Sequence, residues 1–479
     1  MYLDIKSSPN YKIFYILAFV GAIALLGAFI VLGNTSLFPQ QIKLVFKMLS
    51  AIFFCFAIIL TIGKFSVDTF ILRGISKISF EIYVSQGLFL SLFRSQVVYI
   101  DNSWLYSACV VVATVVFSIP LNYIFKKIYR LPKLNILMIY FNSDYMAGAH
   151  PEVMRRLVET NLEHTVGYGC DQYTQQAKDA IRSACAAPNA LVQFMEGGTQ
   201  TNATVIDALL RRHEGVLAAE CGHINVHESG AIEHSGHKVL TLPDTNGKLS
   251  ANQVDNYITN FYRDETYEHM VAPGMLYITM PTEYGTLYSL DELEQLSAVC
   301  HKHNIPLYMD GARLGYALAS KDCDVTLPDI ARLCDVFYIG GTKCGLLFGE
   351  AVVAANPNTL PHFFPLVKQH GALCAKGRIL GLQFLTLFTD NLYQNICEHA
   401  IILAQRIREA FVNKGYRVAI DSPTNQQFFI LPNDVVDRLR ANGVSFEDWG
   451  VRGETETTVR FVTSWSTTEE DVNKLIEIL

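Results

Sequence analysis

The chain has 479 residues, half of them hydrophobic, and this length predicts two or three domains. Its net charge of −7 and the lack of a long basic run after residue 138 argue against nucleic acid as a partner. The 11 cysteines are neither paired nor regularly spaced. This pattern argues against a disulfide framework or a metal site such as zinc, and it predicts a reducing compartment.

Four apolar runs lie before residue 135, at 14–32, 44–62, 80–100 and 108–125. Each is long enough, or nearly so, to cross a hydrocarbon core of ~30 Å as a helix. Residues 1–135 are therefore predicted to be a transmembrane segment of about four helices, with buried core helices as the alternative. Lysines and arginines lie before the first run, between the second and third, and after the fourth. This distribution predicts a membrane location with both termini in the cytoplasm.

A short motif begins at residue 75, where residues 75–86 read Ile-Ser-Lys-Ile-Ser-Phe-Glu-Ile-Tyr-Val-Ser-Gln. It resembles the last helices of the acyltransferase-3 membrane family, whose catalytic histidine lies in an early helix. Since no histidine precedes His150, the resemblance implies a truncated acyltransferase-3-like segment that does not transfer acyl groups. A gene fusion or a start at Met138 is the alternative, and a protein without this segment would be cytoplasmic.

From Met138 onward, strand-like and helix-like segments alternate, which predicts an α/β fold with a mainly parallel sheet. The predicted strands are 191–194, 215–219, 275–279, 307–309 and 336–339, and the predicted helices are 151–160, 201–210, 289–304 and 327–333. A smaller α+β part follows, with a helix at 396–414, strands at 417–420, 427–431 and 458–463, and a last helix from 468. The predicted domains are thus 138–385 and 386–479.

Polar motifs follow two of the early predicted strands. The sequence Glu-Gly-Gly-Thr-Gln-Thr-Asn at 196–202 opens a predicted helix, where glycine amides and the hydroxyl of Thr199 suit a phosphate. A plain helix cap is the alternative. His223 follows the next strand, where its flat ring can stack on a bound ring or serve the structure alone.

Two further motifs follow later strands and carry more specific chemistry. In Asp-Gly-Ala-Arg at 310–313, Asp310 can keep a pyridine nitrogen protonated, and Arg313 can reach a phenolic oxygen or a carboxylate. A structural Asp–Arg pair is the alternative. Lys343 follows the strand at 336–339, where desolvation lowers a lysine pKa and favours a Schiff base with an aldehyde cofactor. A solvated loop lysine is the alternative there.

Taken in chain order, these motifs resemble the low-specificity threonine aldolases, which belong to the β-eliminating lyase group of fold-type-I enzymes dependent on pyridoxal phosphate (PLP). The resemblance covers residues 138–479. The cofactor-binding residues that it implies are Lys343, Asp310, Arg313, His223, Gly198 and Thr199. The resemblance implies that Lys343 supplies the Schiff-base amine, Asp310 partners the pyridine nitrogen and Arg313 lies near the phenolic oxygen. It also implies that His223 stacks on the cofactor ring and that Gly198 and Thr199 form the phosphate site.

The same resemblance implies residues for the substrate and for a neighbouring subunit. Ser143, in Asn-Ser-Asp, and Arg460, in Val-Arg-Phe-Val-Thr, match positions that bind the substrate carboxylate. Lys376 and Arg378 fall where the family supplies a basic residue to the phosphate of a neighbouring subunit. The resemblance therefore also implies a homodimer or homotetramer with sites at the subunit interface.

The implied activity is retro-aldol cleavage of β-hydroxy-α-amino acids, such as L-threonine or L-allo-threonine, into glycine and an aldehyde. Glu283 occupies a position where many family members have a histidine. Ser464 occupies a second position where a histidine is common. The candidate bases are Glu283, His223 and a bound water, with Glu283 or water favoured. These departures leave open another PLP-dependent reaction, such as β-elimination, racemisation or transamination, and also a membrane-anchored protein without catalysis.

Overall fold

The computed structural model describes Leu92 and residues 100–130 and 138–479. The chain divides into two units, Met1–Leu134 and Asn135–Leu479. In the first unit, the fourth apolar run lies within a helix of 28 residues, α1 (Ser103–Arg130).

The described part of the chain contains no helix with both the length and the apolar character needed to cross a membrane. The structure therefore confirms a helix at 108–125 but does not support the membrane span predicted there. The first two predicted spans and the acyltransferase-like motif lie outside the described residues, as does the third span apart from Leu92 and Ile100.

The second unit is built from strands and helices whose bounds are as follows. The strands are β1 (Ile139–Tyr140), β2 (Leu191–Met195), β3 (Glu214–Ala219), β4 (Val239–Leu242), β5 (Ala272–Thr279), β6 (Leu307–Asp310), β7 (Val336–Gly340), β8 (Glu350–Ala354), β9 (Arg417–Ile420), β10 (Gln426–Pro432), β11 (Val444–Ser445), β12 (Glu447–Asp448) and β13 (Glu456–Val462). The helices are α2 (Pro151–Glu159), α3 (Gln172–Ala184), α4 (Gly198–Leu209), α5 (His223–Val226), α6 (Ala231–His234), α7 (Ala251–Arg263), α8 (Leu290–His303), α9 (Leu314–Leu318), α10 (Leu327–Leu333), α11 (Phe363–Gln369), α12 (Arg378–Leu387), α13 (Leu392–Asn413), α14 (Asn433–Ala441) and α15 (Glu469–Ile478).

A seven-stranded sheet with the order β2-β8-β7-β6-β5-β3-β4 forms the centre of this unit. Strand β8 runs antiparallel to β2 and β7, and the other pairings are parallel. The predicted α/β fold with a mainly parallel sheet is thus confirmed. Alternate residues of β7 enter different hydrophobic clusters, with Phe337 and Ile339 in one and Val336 and Tyr338 in the other. Burial on both faces explains why these strands are continuous apolar runs.

A second, four-stranded antiparallel sheet has the order β12-β13-β10-β9. Helices α13, α14 and α15 contribute to its hydrophobic cluster, which also contains Ile139 and Phe141. Strand β1 pairs in parallel with β11, and the amide of Val462 donates to the carbonyl of Phe141 at 2.8 Å. The beginning of the unit therefore lies against β13, which places Ser143 near the end of the chain. The domain boundary predicted at residue 385 falls within α12 and stays a prediction.

Candidate active site

The carboxyl ends of four parallel strands bring most of the predicted site residues to one edge of the seven-stranded sheet. Gly198 and Thr199 begin α4 directly after β2, and His223 begins α5 after β3. Asp310 is the last residue of β6, and Lys343 follows β7 by three residues. Parallel strands place their carboxyl ends at the same edge, which is where ligands bind in open α/β sheets.

Asp310 is buried and accepts hydrogen bonds from several groups. Its Oδ2 accepts from the hydroxyl of Tyr277 at 2.7 Å and from Nδ2 of Asn202 at 2.9 Å. Its Oδ1 accepts from the hydroxyl of Tyr338 and from the amide of Ala312. Burial alone would raise the pKa of Asp310, but the charge of His223 and these hydrogen bonds outweigh it, so the pKa lies below its ordinary value. The site thus holds an ionised carboxylate away from water.

The start of α4 lies close to this carboxylate. A Cβ at Gly198 would be 3.3 Å from the hydroxyl of Tyr338, which itself donates to Asp310. Glycine at this position therefore lets the first turn of α4 approach the aspartate closely. Amides in the first turn of a helix have no partner within the helix, so they are available to an anion.

His223 is linked to Asp310 through a buried glutamate that sequence reasoning did not identify. Nδ1 of His223 lies 2.7 Å from Oε1 of Glu228, which also accepts from Nδ2 of Asn202 at 2.7 Å. The same Nδ2 donates to Asp310. Burial alone would lower the pKa of His223, but the hydrogen bond to Glu228 and the charges of Glu283 and Asp310 raise it above its ordinary value.

Lys343 is half-buried beside one arginine and three carboxylates. Burial disfavours its ammonium form, and the charge of Arg313 adds to that effect. The carboxylates of Asp144, Glu283 and Asp310 act in the opposite direction but do not cancel it. The pKa of Lys343 therefore lies below its ordinary value, which raises the share of neutral, nucleophilic amine.

The turn that carries Lys343 is fixed by Glu350 at the start of β8. The hydroxyl of Thr342 donates to Oε1 of Glu350 at 2.7 Å, and the amide of Gly341 donates to Oε2 at 3.2 Å. Burial raises the pKa of Glu350 to about 8, against the opposing effects of these hydrogen bonds and of the Lys343 charge. The glutamate thus anchors the backbone directly before the lysine.

Arg313 is paired with a buried aspartate. Its Nε and Nη2 donate to the two oxygens of Asp144, at 2.7 and 3.1 Å. Nδ2 of Asn425 also donates to Asp144, at 2.9 Å. This bidentate pair, in which both partners are buried, fixes the plane of the guanidinium. The contact of Arg313 with a cofactor oxygen stays a prediction.

Arg460, on β13, is buried and has several polar neighbours. Its Nη1 donates to Oε1 of Gln426 at 2.9 Å, and its Nη2 donates to the carbonyl of Asn142 at 3.4 Å and to Glu447. Its guanidinium carbon lies 4.7 Å from the ring centroid of Trp449. Burial and the charge of Arg313 lower the pKa of Arg460, against the opposing charge of Glu447.

The remaining predicted residues lie in two different places. Ser143 is buried beside Asn142, and Glu283 follows β5 with its charge acting on His223, Arg313 and Lys343. Lys376, by contrast, is exposed, and Nη1 of Arg378 donates to the hydroxyl of Thr160 at 3.1 Å. Within the described chain, these two basic residues are not part of the hydrogen-bond network around Asp310.

Comparison with known proteins identifies the family. The model of the family described as β-eliminating lyase matches residues 141–430, which is more than half of the chain. The chain belongs to the β-eliminating lyase family. This β-eliminating lyase is 30% identical over 338 residues to the low specificity L-threonine aldolase of Pseudomonas aeruginosa, covering 70% of this chain and 95% of the relative.

Solved structures place this β-eliminating lyase among similar folds. A threonine aldolase from Leishmania major aligns with a TM-score of 0.68 and 40% identity, covering 71% of this chain and 98% of that chain. An aspartate aminotransferase from Thermus thermophilus aligns with a TM-score of 0.53 and 14% identity, covering 71% of this chain and 90% of that chain. The latter similarity concerns the fold alone, and it agrees with the predicted fold type I.

The cofactor of β-eliminating lyases is PLP, and the residues of this site fit it. The ionised, buried carboxylate of Asp310 is suited to a cationic pyridine nitrogen, and the lowered pKa of Lys343 is suited to an aldehyde. At the beginning of α4, a Cβ at Gly197 would meet no atom within 4 Å, so there is space beside the helix N-terminus. A phosphate is stabilised at such a terminus.

Several buried polar residues of this β-eliminating lyase support the site without having been predicted. They are Asp144, Asn202, Glu228, Glu350, Asn425 and Gln426. Asp144 and Asn202 stand inside recognised motifs, and that position is the one signal the sequence offered for them. The others lie outside those motifs. Glu228 and Gln426 hydrogen-bond His223 and Arg460 directly. Glu350 and Asn425 act through Thr342 and Asp144.

Glu228→Gln is expected to lower the pKa of the His223 imidazole, because the neutral amide stabilises the imidazolium less than the carboxylate does. An NMR titration of the His223 ring protons in the full chain, with and without the substitution, measures the change. Glu233→Gln is a matched control, since Glu233 is an exposed residue of the neighbouring helix α6. The same His223 pKa in both variants would contradict the assignment of Glu228 as its partner.

Proposed function

We propose that this protein cleaves L-threonine and L-allo-threonine into glycine and acetaldehyde by a PLP-dependent retro-aldol reaction. The observation that carries the proposal is the position of Lys343 and Asp310 at the same sheet edge, with the pKa of each lowered. A lysine with a lowered pKa and a buried ionised carboxylate are the two groups that this cofactor chemistry requires. The threonine aldolase names of the relatives from Pseudomonas aeruginosa and Leishmania major support the substrate class.

In this proposal the cofactor-binding residues have the following roles. Lys343 would supply the amine for the cofactor aldehyde, and Asp310 would hold the proton of the ring nitrogen. His223 would lie against the cofactor ring, while Gly198 and Thr199 at the start of α4 would bind the phosphate. When bound, PLP supplies a pyridinium ring that takes up the negative charge developing at the substrate α-carbon.

Arg460 and Ser143 bind the substrate carboxylate in this proposal. Arg460 lies near Asn142, and Ser143 is the next residue along the chain, so both side chains belong to the region where β13 meets the start of the second unit. A carboxylate fixed in this way orients the bond between the α- and β-carbons. The binding energy of the substrate carboxylate thus contributes to the orientation of this bond for cleavage.

Glu283 takes the proton from the β-hydroxyl group. Its charge acts on His223, Arg313 and Lys343, so the carboxylate lies among the groups that surround the reacting atoms. His223 is held by Glu228, which favours Glu283 or a bound water as the base. A positioned general base contributes typically about 10²–10⁴ to a rate.

Glu283→Gln is therefore expected to lower kcat for threonine cleavage by about 10²–10⁴, because an amide cannot accept the hydroxyl proton. The measurement is the initial rate of aldehyde release at saturating L-threonine. Glu294→Gln, on the exposed face of α8, is the control and should retain the wild-type rate. A Glu283→Gln rate within threefold of wild type would show that Glu283 does not take the proton.

The experiment that tests the proposed function is product analysis of L-threonine with the purified full chain and added PLP. Acetaldehyde and glycine in equal amounts are the expected products. Ammonia with a 2-oxo acid would indicate β-elimination, and D-allo-threonine without aldehyde would indicate racemisation at the α-carbon. Binding of PLP without any of these products would contradict the substrate assignment.

We also infer a homodimer or homotetramer in which Lys376 and Arg378 reach the phosphate of a neighbouring subunit. The support is that Lys376 is exposed and that Arg378 lies at the N-terminus of α12, outside the Asp310 network of its own chain. Light scattering of the purified protein measures the assembly mass. A monomer that retains full activity would contradict this inference.

We propose, finally, that the full chain is attached to a membrane with its second unit in the cytoplasm. The support is the sequence before residue 135, where apolar runs alternate with connections that include basic ones. The resemblance of the motif at 75–86 to a truncated acyltransferase-3 segment stays a prediction. Cell fractionation should find the full chain with membranes and a chain starting at Met138 in the cytosol. Recovery of the full chain in the cytosol alone would contradict the attachment.

A further inference from the structure

Arg460 is paired with Glu447, a carboxylate of its own chain. Glu447 lies directly opposite Arg460 in the antiparallel pairing of β12 and β13. Side chains of opposite residues lie on the same face of a sheet, and here the two form a salt bridge between Nη2 and Oε2. Among the described residues, Glu447 is the only carboxylate in a salt bridge with Arg460.

The other hydrogen-bond and ring contacts of Arg460 are with neutral groups. Gln426 and the carbonyl of Asn142 are neutral acceptors, and Trp449 presents the face of its ring. Nε of Arg460 is buried and has no hydrogen-bond partner in the described structure. Glu447 is therefore the carboxylate that directly pairs with this guanidinium, while Asp144 acts on it without a salt bridge. A substrate carboxylate could take the place of Glu447.

The two partners differ in their access to water. The side chain of Arg460 is 8% exposed, whereas that of Glu447 is 41% exposed. A carboxylate at this exposure regains hydration when it leaves its partner, so releasing it costs little. Arg460, in contrast, is fixed by its other contacts and stays in place.

We propose that Glu447 is a positioning residue that occupies Arg460 between turnovers and is displaced by the carboxylate of the incoming amino acid. The inference rests on the proposed function in one respect, the assignment of Arg460 to the substrate carboxylate. Glu447 pairs with the guanidinium in the free enzyme and so prevents an unpaired buried charge there. Each binding event exchanges one carboxylate for another, so Glu447 lowers the apparent affinity of the site.

The exchange affects the Michaelis constant and not the chemical step. Glu447 has left Arg460 before the bond between the α- and β-carbons breaks, and it contacts none of the reacting groups. Its removal therefore strengthens binding of substrate and transition state equally. A change of this kind alters KM and leaves kcat constant.

Glu447→Gln is expected to lower KM for L-threonine about three- to tenfold, with kcat within twofold of wild type. Glu447→Asp keeps the charge and should retain a KM close to that of wild type. Asp448→Asn is the matched control, since Asp448 is the next residue of β12 and pairs with Arg440 at 2.8 Å. This control should leave KM unchanged.

A binding measurement separates the inference from the proposed function. Calorimetric titration of the PLP-loaded full chain with glycine should give a dissociation constant about three- to tenfold lower for Glu447→Gln than for wild type. Tighter glycine binding without aldehyde release from threonine would overturn the proposed function and support the role of Glu447. A higher KM and weaker glycine binding in Glu447→Gln would overturn the inference, since Glu447 would then only orient Arg460. Unchanged values would overturn it as well.

Discussion

Lys343→Ala is expected to lower kcat for aldehyde release by at least about a thousandfold. The side chain lies among Asp144, Glu283, Asp310 and Arg313, and burial and the arginine charge outweigh the carboxylates in lowering its pKa. Alanine removes the amine that reacts with the cofactor aldehyde. Single-turnover and steady-state assays with L-threonine measure the loss.

Lys474→Ala is the control for the Lys343 substitution. Lys474 lies on α15 in an exposed pair with Glu470, so its removal changes the lysine count without affecting the site. Both variants should show the far-ultraviolet circular dichroism of the wild type, which separates a catalytic effect from unfolding. A Lys343→Ala variant that is folded and fully active would disprove the role of this lysine.

The strands that position the site could be predicted because of how they are buried. Strands β3, β5, β6 and β7 correspond to predicted runs, since parallel strands covered on both faces are largely apolar. The edge strand β2 was also predicted, although it contains Gln193. Strand β8 was not predicted, because it begins with the buried Glu350 and follows β7 after a short turn. Its antiparallel direction depends on the pairing with β2 and β7, which no local pattern encodes.

The site itself could be predicted only for residues adjacent to strand ends. Lys343, Asp310 and His223 stand in short motifs directly after apolar runs, so their convergence follows from the parallel sheet. The residues that support them act over long distances in the chain, such as Asn202 and Asp310, which are 108 positions apart, and Asn425 and Asp144, which are 281 positions apart. Such pairs are determined by the tertiary structure, and a single sequence does not reveal them.

Hydropathy predicted a helix at 108–125, and the structure has one there. The run at 108–125 is apolar and forms part of α1, yet α1 does not combine the length and apolarity of a membrane span. A run of apolar residues predicts a buried helix as readily as a spanning one when periodicity is the only information.

Asp310→Asn is expected to lower kcat by about 10²–10³ while PLP remains bound. The carboxylate accepts from Tyr277, Tyr338 and Asn202, and its charge is maintained in a buried site by these donors and by His223. Asparagine has the same shape but no charge, so it does not hold a proton on the pyridine nitrogen. The ring then withdraws electrons less strongly when negative charge develops at the α-carbon.

A second variant separates the effect of the Asp310 charge from the effect of its hydrogen bonds. Tyr277→Phe removes one donor to Oδ2 and keeps the carboxylate, so it should lower kcat far less than Asp310→Asn. Asp291→Asn, in the exposed first turn of α8, controls for the loss of a negative charge elsewhere. Cofactor content, measured by absorbance after release in alkali, should be equal in all three variants. If Asp310→Asn and Tyr277→Phe reduced kcat equally, the hydrogen-bond network and not the carboxylate charge would be the source of the rate, because Tyr277→Phe keeps the carboxylate charge.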